Sequence, residues 1–103
     1  MILSWKQAFN AKWTYKGKSG NSKYDVDAEI EGPERTLVVD VAPMINAISE
    51  LNGKDLHKHI GRSSLEAVVI HVRDMVKKYL SKDTKIIRIK IIENNKFAVE
   101  VYK

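Results

Sequence analysis

Hydrophobic and polar residues alternate with a period of two in several stretches of the chain. In Tyr24–Glu31, apolar residues alternate with four acidic ones, which predicts a strand with one buried face and one acidic face. The same period predicts strands at Ile87–Ile91 and Phe97–Val101. A further strand is predicted at Ile2–Phe9, where a single polar residue, Gln7, interrupts the apolar face.

A helical spacing of apolar residues begins after Asp40 and predicts a first helix. The Asp40 carboxylate is expected to accept hydrogen bonds from the free N–H groups of the first turn, and Pro43 suits that turn. We expect Thr36–Val39, before the cap, to be extended, and Asn52–Gly53 to end the helix. The apolar positions of this helix are Met44, Ile45, Ala47, Ile48 and Leu51.

A second helix has the clearest pattern in the chain. Ser63 and Glu66 are spaced as a capping box at its start, and Lys77 and Lys78 lie near its end, where the helix dipole favours cations. Its apolar stripe is formed by Leu65, Val68, Val69, Val72, Met75, Val76, Tyr79 and Leu80.

The predicted order is therefore ββααββ in one domain, residues 1–103. Asn94–Asn95 suits the tight turn between the last two strands, because asparagine tolerates a positive φ. We predict an α+β fold, an antiparallel four-stranded sheet with two helices on one face. Such a sheet has two free edges, and pairing edge to edge with further copies would close a barrel. A ring-shaped homo-oligomer is expected.

Composition narrows the class of protein. The chain has 103 residues, no cysteine and a net charge of +5, so disulfides and thiol chemistry are excluded, and anionic partners are favoured only mildly. The apolar runs are far shorter than the roughly 20 residues of a membrane helix, and the N-terminus does not resemble a secretory signal. We expect a cytoplasmic protein without a membrane partner.

Six short segments, in order along nearly the whole chain, resemble motifs of the 6-pyruvoyltetrahydropterin synthase and 6-carboxytetrahydropterin synthase family, which has the tunnelling fold. The first resembles the family's Phe-x-Ala-x-His, the second His-Gly-His-x-Tyr and the fourth Asp-His-Lys-x-Leu. The segments are Phe9–Trp13, Gly20–Tyr24, Leu37–Asp40, Leu56–Ile60, Ser63–Ala67 and Ile91–Glu93. The resemblance implies the tunnelling fold and a pterin-type substrate.

This sequence departs from the family at its catalytic positions. Where the resemblance implies three zinc-binding histidines, the chain has Trp13, Gly20 and Ser22, which leaves no ligand set for zinc. The family's cysteine would fall near Lys16, and Leu56 replaces its aspartate. Only His57 of the catalytic set remains, so we expect no zinc cofactor and no standard lyase reaction, and whether any reaction is catalysed stays open.

Glu93 is the strongest candidate for ligand binding. The resemblance implies that its carboxylate accepts two hydrogen bonds from the amino and ring N–H groups of a pterin- or purine-like molecule, a strong and directional contact. By sequence alone, Glu93 is equally explained as a solvated residue beside the Asn94–Asn95 turn. Ser64 and Glu66 are implied to line the same pocket, although helix capping explains that segment as well.

The three histidines are not expected to hold a metal. His57 and His59 lie two residues apart, so both could bind zinc from one extended segment, and His71 lies beside the apolar stripe of the second helix. No acidic or sulfur ligand accompanies them convincingly.

Lys12–Lys23 is predicted to be a basic loop with four lysines and two aromatic residues. Lysines contact phosphates and aromatic rings stack on bases, so nucleic-acid binding by an oligomeric scaffold is the alternative function. A solvated hairpin loop explains the same segment without a partner.

Overall fold

The computed structural model describes residues 1–61 and 64–103. Within that part of the chain, no helix is long and apolar enough to cross a membrane. The elements are β1 (Ile2–Tyr15), β2 (Lys18–Glu31), α1 (Glu34–Ser49), α2 (Leu56–Ile60), α3 (Leu65–Tyr79), β3 (Lys85–Glu93) and β4 (Phe97–Val101).

The four strands form one antiparallel sheet in the order β1-β2-β3-β4, which confirms the predicted α+β class. The short helix α2 is additional to the two predicted helices. One face of the sheet packs against the helices, and the core between them is apolar. Its largest fully buried side chains include Tyr24, Phe9, Ile30, Leu37, Met44, Ile48, Leu51, Leu56, Ile89 and Ile91.

The prediction of a loop at Lys12–Lys23 is wrong. β1 and β2 stay paired without interruption from Ile2–Glu31 to Tyr15–Lys18, so most of the segment is the distal part of one long hairpin. The chain reverses at Lys16 and Gly17, whose φ angles are 49° and 78°, as the primed turns of hairpins require. The alternation weakens here because this part of the hairpin lies beyond most of the core.

The start of the first helix was also predicted wrongly. α1 begins at Glu34, so Leu37–Val39 is helical, and Pro43 lies inside the helix. Asp40 is not a cap: its side chain is buried, and its two carboxylate oxygens accept hydrogen bonds from the backbone N–H (2.9 Å) and the hydroxyl (3.0 Å) of Ser81. Asp40 therefore ties α1 to the connection between α3 and β3.

Strand β3 contains an irregularity that the alternation did not reveal. Glu29 pairs with Arg88 but the next residue, Ile30, pairs with Ile86, so Ile87 is an extra residue on β3. As a result, Ile86 is buried and Ile87 is only partly buried, whereas the sequence pattern assigned Ile87 to the core face.

The start of α3 agrees with the predicted position but not with the predicted cap. Ser63 lies outside the described residues. Ser64 occupies the N-cap position, and its hydroxyl accepts a hydrogen bond from the backbone N–H of Ala67 at 3.2 Å. Val68, Val69, Val72 and Val76 are buried, as the stripe predicted.

The sheet face opposite the helices is charged. The acidic residues of β2 lie on it, and the Arg88 guanidinium reaches three carboxylates, of Glu29 (3.0 Å), Glu100 (3.2 Å) and Asp27 (3.5 Å). These interactions hold the pKa of Arg88 above its ordinary value, the hydrogen bond to Glu29 contributing most. The central strands are thereby linked by charge as well as by their backbone ladder.

Candidate functional site

One row of residues crosses all four strands at the end of the sheet where β3 stops. Phe9 pairs with Tyr24, Tyr24 pairs with Glu93, and Glu93 pairs with Phe97. Because directly opposed residues of antiparallel strands project to the same face, all four belong to the face that packs against the helices. A carboxylate thus lies between two aromatic residues at the rim of the core.

Glu93 is held by Tyr24. The Tyr24 hydroxyl donates a hydrogen bond to Oε2 of Glu93 at 3.2 Å, and its ring stacks on Phe9 with the centroids 5.1 Å apart. Burial raises the pKa of Tyr24, and the charge of Glu93 and the hydrogen bond to it raise that pKa further. The hydroxyl therefore remains a donor. In the described part of the chain, Oε1 of Glu93 has no hydrogen-bond partner.

The turn after Glu93 is fixed to β2 by Asn94. Its side-chain oxygen accepts from the backbone N–H of Lys23 (2.9 Å), its backbone N–H donates to the Lys23 carbonyl (2.9 Å), and its amide group donates to the Ser22 hydroxyl (3.1 Å). Asn94 and Asn95 both have positive φ, as predicted for this turn. Three hydrogen bonds to β2 keep the end of β3, and so the Glu93 backbone, in place.

Trp13, Gly20 and Ser22 lie on the same face as this row, on the next rungs of the hairpin. Trp13 pairs with Gly20, and Ala11 pairs with Ser22. The Trp13 indole lies directly over Gly20, since a Cβ built on Gly20 would be 2.7 Å from the indole Cζ2. Ser22 is buried and bonded to Asn94. Among the described residues, no three His, Cys, Asp or Glu side chains are grouped as metal ligands.

Ser64 and Glu66 lie in a different place. Together with His71 and Asp74 they line an open cavity of about 360 Å³ at the start of α3. Neither Glu93 nor His57 is among the residues that line this cavity.

The histidines are arranged differently from the prediction. His57 and His59 lie on helix α2 rather than on an extended segment, and two residues along a helix rotate side chains by about 200°, so the two diverge. His59 instead meets His71, with ring centroids 5.8 Å apart. Burial lowers the pKa of His71, and the nearby His59 lowers it further. His57 is exposed.

Comparison with known proteins rests on structure. The chain resembles the 6-pyruvoyl tetrahydropterin synthase of Caenorhabditis elegans with a TM-score of 0.77 and 12% sequence identity, over 100% of this chain and 95% of that one. This chain has the tunnelling fold. No protein-family model and no curated protein matches its sequence. At this identity the likeness shows the fold, and the resemblance stated from the sequence motifs is confirmed at that level.

Sequence reasoning missed two members of the row in this tunnelling-fold chain. The motif includes Tyr24 but does not identify it as the partner of Glu93, and the alternation gives Phe97 only as an apolar residue of a strand, whereas the structure leaves it 66% exposed beside Glu93. Tyr24 lies beside Glu93 because β2 pairs with β3, two strands that the helices separate in the sequence, whereas Phe97 lies beside it through the short β3–β4 hairpin. A signal did exist, because the Asn94–Asn95 turn fixes Phe97 opposite Glu93.

Replacing Glu93 by glutamine is expected to lower the pKa of Tyr24. The substitution removes a negative charge and weakens a hydrogen bond that both favour the protonated hydroxyl, while burial persists, so the pKa stays above the ordinary tyrosine value. Alkaline titration of carbon-13-labelled tyrosine by NMR resolves the four tyrosines, with exposed Tyr15 as the internal control. An unchanged Tyr24 titration would contradict the contact.

Proposed function

We propose that this chain binds a pterin- or purine-like molecule through Glu93, without the zinc-dependent lyase chemistry of 6-pyruvoyltetrahydropterin synthase. The supporting observation is the Glu93 carboxylate, which one buried hydroxyl orients from Oε2 while Oε1 has no partner in the described part of the chain. A carboxylate fixed in this way is suited to the paired N–H donors of a guanidine-like edge.

Phe97 supports an aromatic ligand. It is directly opposite Glu93 on β4, its side chain is largely exposed, and paired residues at such positions have Cβ atoms about 5 Å apart. A planar bicyclic ring that donates its amino and ring N–H groups to Glu93 would stack its face against Phe97. Aromatic stacking of this kind contributes roughly 0.5–1.5 kcal/mol beyond area burial.

The residues present do not suit the zinc that the family motifs imply. An indole, a hydrogen atom and a neutral hydroxyl replace three imidazoles, and none of these is a good zinc ligand. The Trp13 ring fills the space over Gly20, and the Ser22 hydroxyl already accepts a hydrogen bond. We therefore assign no zinc to this face.

Under the same proposal, the chain binds its pterin- or purine-like ligand and does not catalyse the family's reaction on it. His57 alone remains of the catalytic set implied by the resemblance, and the neighbouring Leu56, in the place of the orienting aspartate, is fully buried. An exposed imidazole still transfers protons. Without a nucleophile or an orienting carboxylate, however, it would at most support a weak, metal-free reaction.

A homo-oligomer is part of this proposal. The outer edge of β1 is covered at one end, where the Gly53 N–H donates to the Asn10 carbonyl (2.7 Å) and the Lys12 N–H to the Lys54 carbonyl (2.9 Å). Among the described residues, the part of that edge before Asn10 and the outer edge of β4 have no neighbouring strand, which favours pairing of these two edges with further copies. Light scattering is expected to give a multiple of 11.8 kDa, and a monomer at micromolar concentration would contradict this.

Calorimetric titration with 7,8-dihydroneopterin tests the proposed ligand class. The unmodified chain is expected to bind saturably, and Glu93→Gln to bind at least tenfold more weakly, because a hydrogen bond to a charged group contributes about 1.5–3 kcal/mol. Glu50→Gln, an exposed residue after α1, is the matched control and should bind like the unmodified chain. The same titration on Ser64→Ala and Glu66→Gln tests whether their cavity takes part.

Equal affinity of Glu93→Gln and the unmodified chain would rule out the assigned role of Glu93. Saturable binding that is lost only in Glu66→Gln would move the ligand to the cavity at the start of α3.

A further inference from the structure

The net charge of the chain is concentrated in its first 24 residues. Met1–Tyr24 contains five lysines and no acidic residue, while the remainder has thirteen basic and thirteen acidic residues. The whole net charge of +5 therefore belongs to β1 and the first half of β2.

Four of these lysines lie on the distal part of the β1–β2 hairpin, residues 12–23, which we call the basic ribbon. The β2–β3 ladder ends at Tyr24, and the last backbone contact of β1 with the α1–α2 connection is at Lys12. In the described part of the chain, residues 13–20 are therefore a two-stranded ribbon with no third strand beside it, roughly 10 Å long at about 3.3 Å per residue. The molecule is accordingly elongated, with extents of 46 × 22 × 17 Å.

The lysines of the basic ribbon are available to a partner. Lys16 and Lys18 form no ion pair with any described residue. Lys12 and Lys23 have only long contacts, each 3.8 Å, with Asp55 and Asp25, and their side chains are about half exposed. Such exposed pairs are weak and are readily exchanged for a stronger anion.

Each of the two aromatic residues of the ribbon has a contact within the ribbon on one face of its ring. The Trp13 indole lies over Gly20, and the Lys16 ammonium lies 5.3 Å from the centre of the Tyr15 ring. Stacking on the unpaired bases of a single strand needs free ring faces. These contacts reduce the ring area on which a base could stack, so the chemistry that the ribbon offers most openly is lysine contact with phosphates, for which the dense charge of a duplex is the better partner.

We propose that the basic ribbon binds double-stranded nucleic acid through its phosphates. A two-stranded β-ribbon fits the major groove of B-form DNA, which is about 12 Å wide. With no acidic side chain between Lys12 and Lys23, nothing on the ribbon itself repels the backbone. The contacts are independent of sequence, since phosphates carry no base information. This site is separate from Glu93 and does not depend on ligand binding there.

Fluorescence anisotropy with a labelled 20-base-pair DNA duplex tests the proposal. Four phosphate contacts predict a slope of about −3.6 in the plot of log K against log salt, a loss of roughly a hundredfold between 50 and 200 mM salt. In the double variant Lys16→Gln/Lys18→Gln the slope should fall to about −1.8. The double variant Lys77→Gln/Lys78→Gln removes the same charge from the end of α3 and should bind like the unmodified chain.

The proposal fails if the duplex does not bind at about 50 mM salt, or if the two double variants lose affinity equally. Tighter binding to the single strand of the same sequence would overturn the choice of a duplex. Binding to vesicles containing phosphatidylserine or to polyglutamate, but not to DNA, would overturn nucleic acid as the partner. Circular dichroism of both double variants verifies that they are folded.

Discussion

Replacing Trp13, Gly20 and Ser22 together by histidine is expected to create a zinc site that the unmodified chain lacks. Positions 13 and 20 are directly paired, and position 22 lies on the next rung of the same face, so three imidazoles would converge there. Zinc at 100 times its Kd stabilises a folded protein by about 2.7 kcal/mol. In a domain of this size that raises Tm by about 10–20 °C, measured by thermal unfolding with and without zinc.

The control for this experiment carries asparagine at the same three positions, which alters the packing similarly but offers poor zinc ligands. Neither this control nor the unmodified chain should gain stability with zinc. Stoichiometric zinc in the unmodified chain, measured after purification without chelators, would refute the proposal of a zinc-free face. A histidine variant that gains nothing would show that the three positions do not converge.

Asp40→Ala is expected to cause a large loss of stability. The buried carboxylate accepts two hydrogen bonds from Ser81, one of them from the backbone, and the alanine leaves those donors without their partner. We expect the free energy of unfolding to fall by about 2 kcal/mol, which corresponds to about 8–16 °C in Tm. Urea unfolding followed by circular dichroism measures it.

Asp74→Ala is the matched control, because Asp74 is an exposed residue of α3 whose ion pair and hydrogen bonds are with its sequence neighbour Arg73. Its effect should stay within about 0.5 kcal/mol. If Asp40→Ala and Asp74→Ala were equally mild, Asp40 would not hold α1 to the connection before β3.

Most of the fold could be predicted because its elements follow the simplest periodicities. The apolar stripe of α3 and the alternation in β2 each pointed to one face, and both faces are buried. The failures have local causes. Aspartate is a common helix N-cap, but Asp40 instead accepts a hydrogen bond from the distant Ser81. The bulge at Ile87 shifts the alternation of β3 by one residue. The hydrophobic period of one segment does not show which distant residue a side chain contacts, and it does not show where a strand contains a bulge.

The candidate site was less accessible to sequence reasoning. Glu93 stood out only through a resemblance, and its contact with Tyr24 joins residues 69 positions apart in the chain. Ser64 and Glu66 line a cavity of which Glu93 is not part, which no spacing could have revealed. The sequence shows the lysines of the basic ribbon but not their secondary structure. The β1–β2 register shows that they lie on an unbroken hairpin.

The central claim is that the Glu93 carboxylate recognises the amino and ring N–H edge of a bicyclic ligand. A crystal structure of the chain soaked with 7,8-dihydroneopterin measures this directly. The account predicts that the pterin's N–H groups lie about 2.9 Å from the Glu93 carboxylate and that its ring lies against Phe97. A pterin bound elsewhere, with Glu93 still contacting only Tyr24, would contradict it.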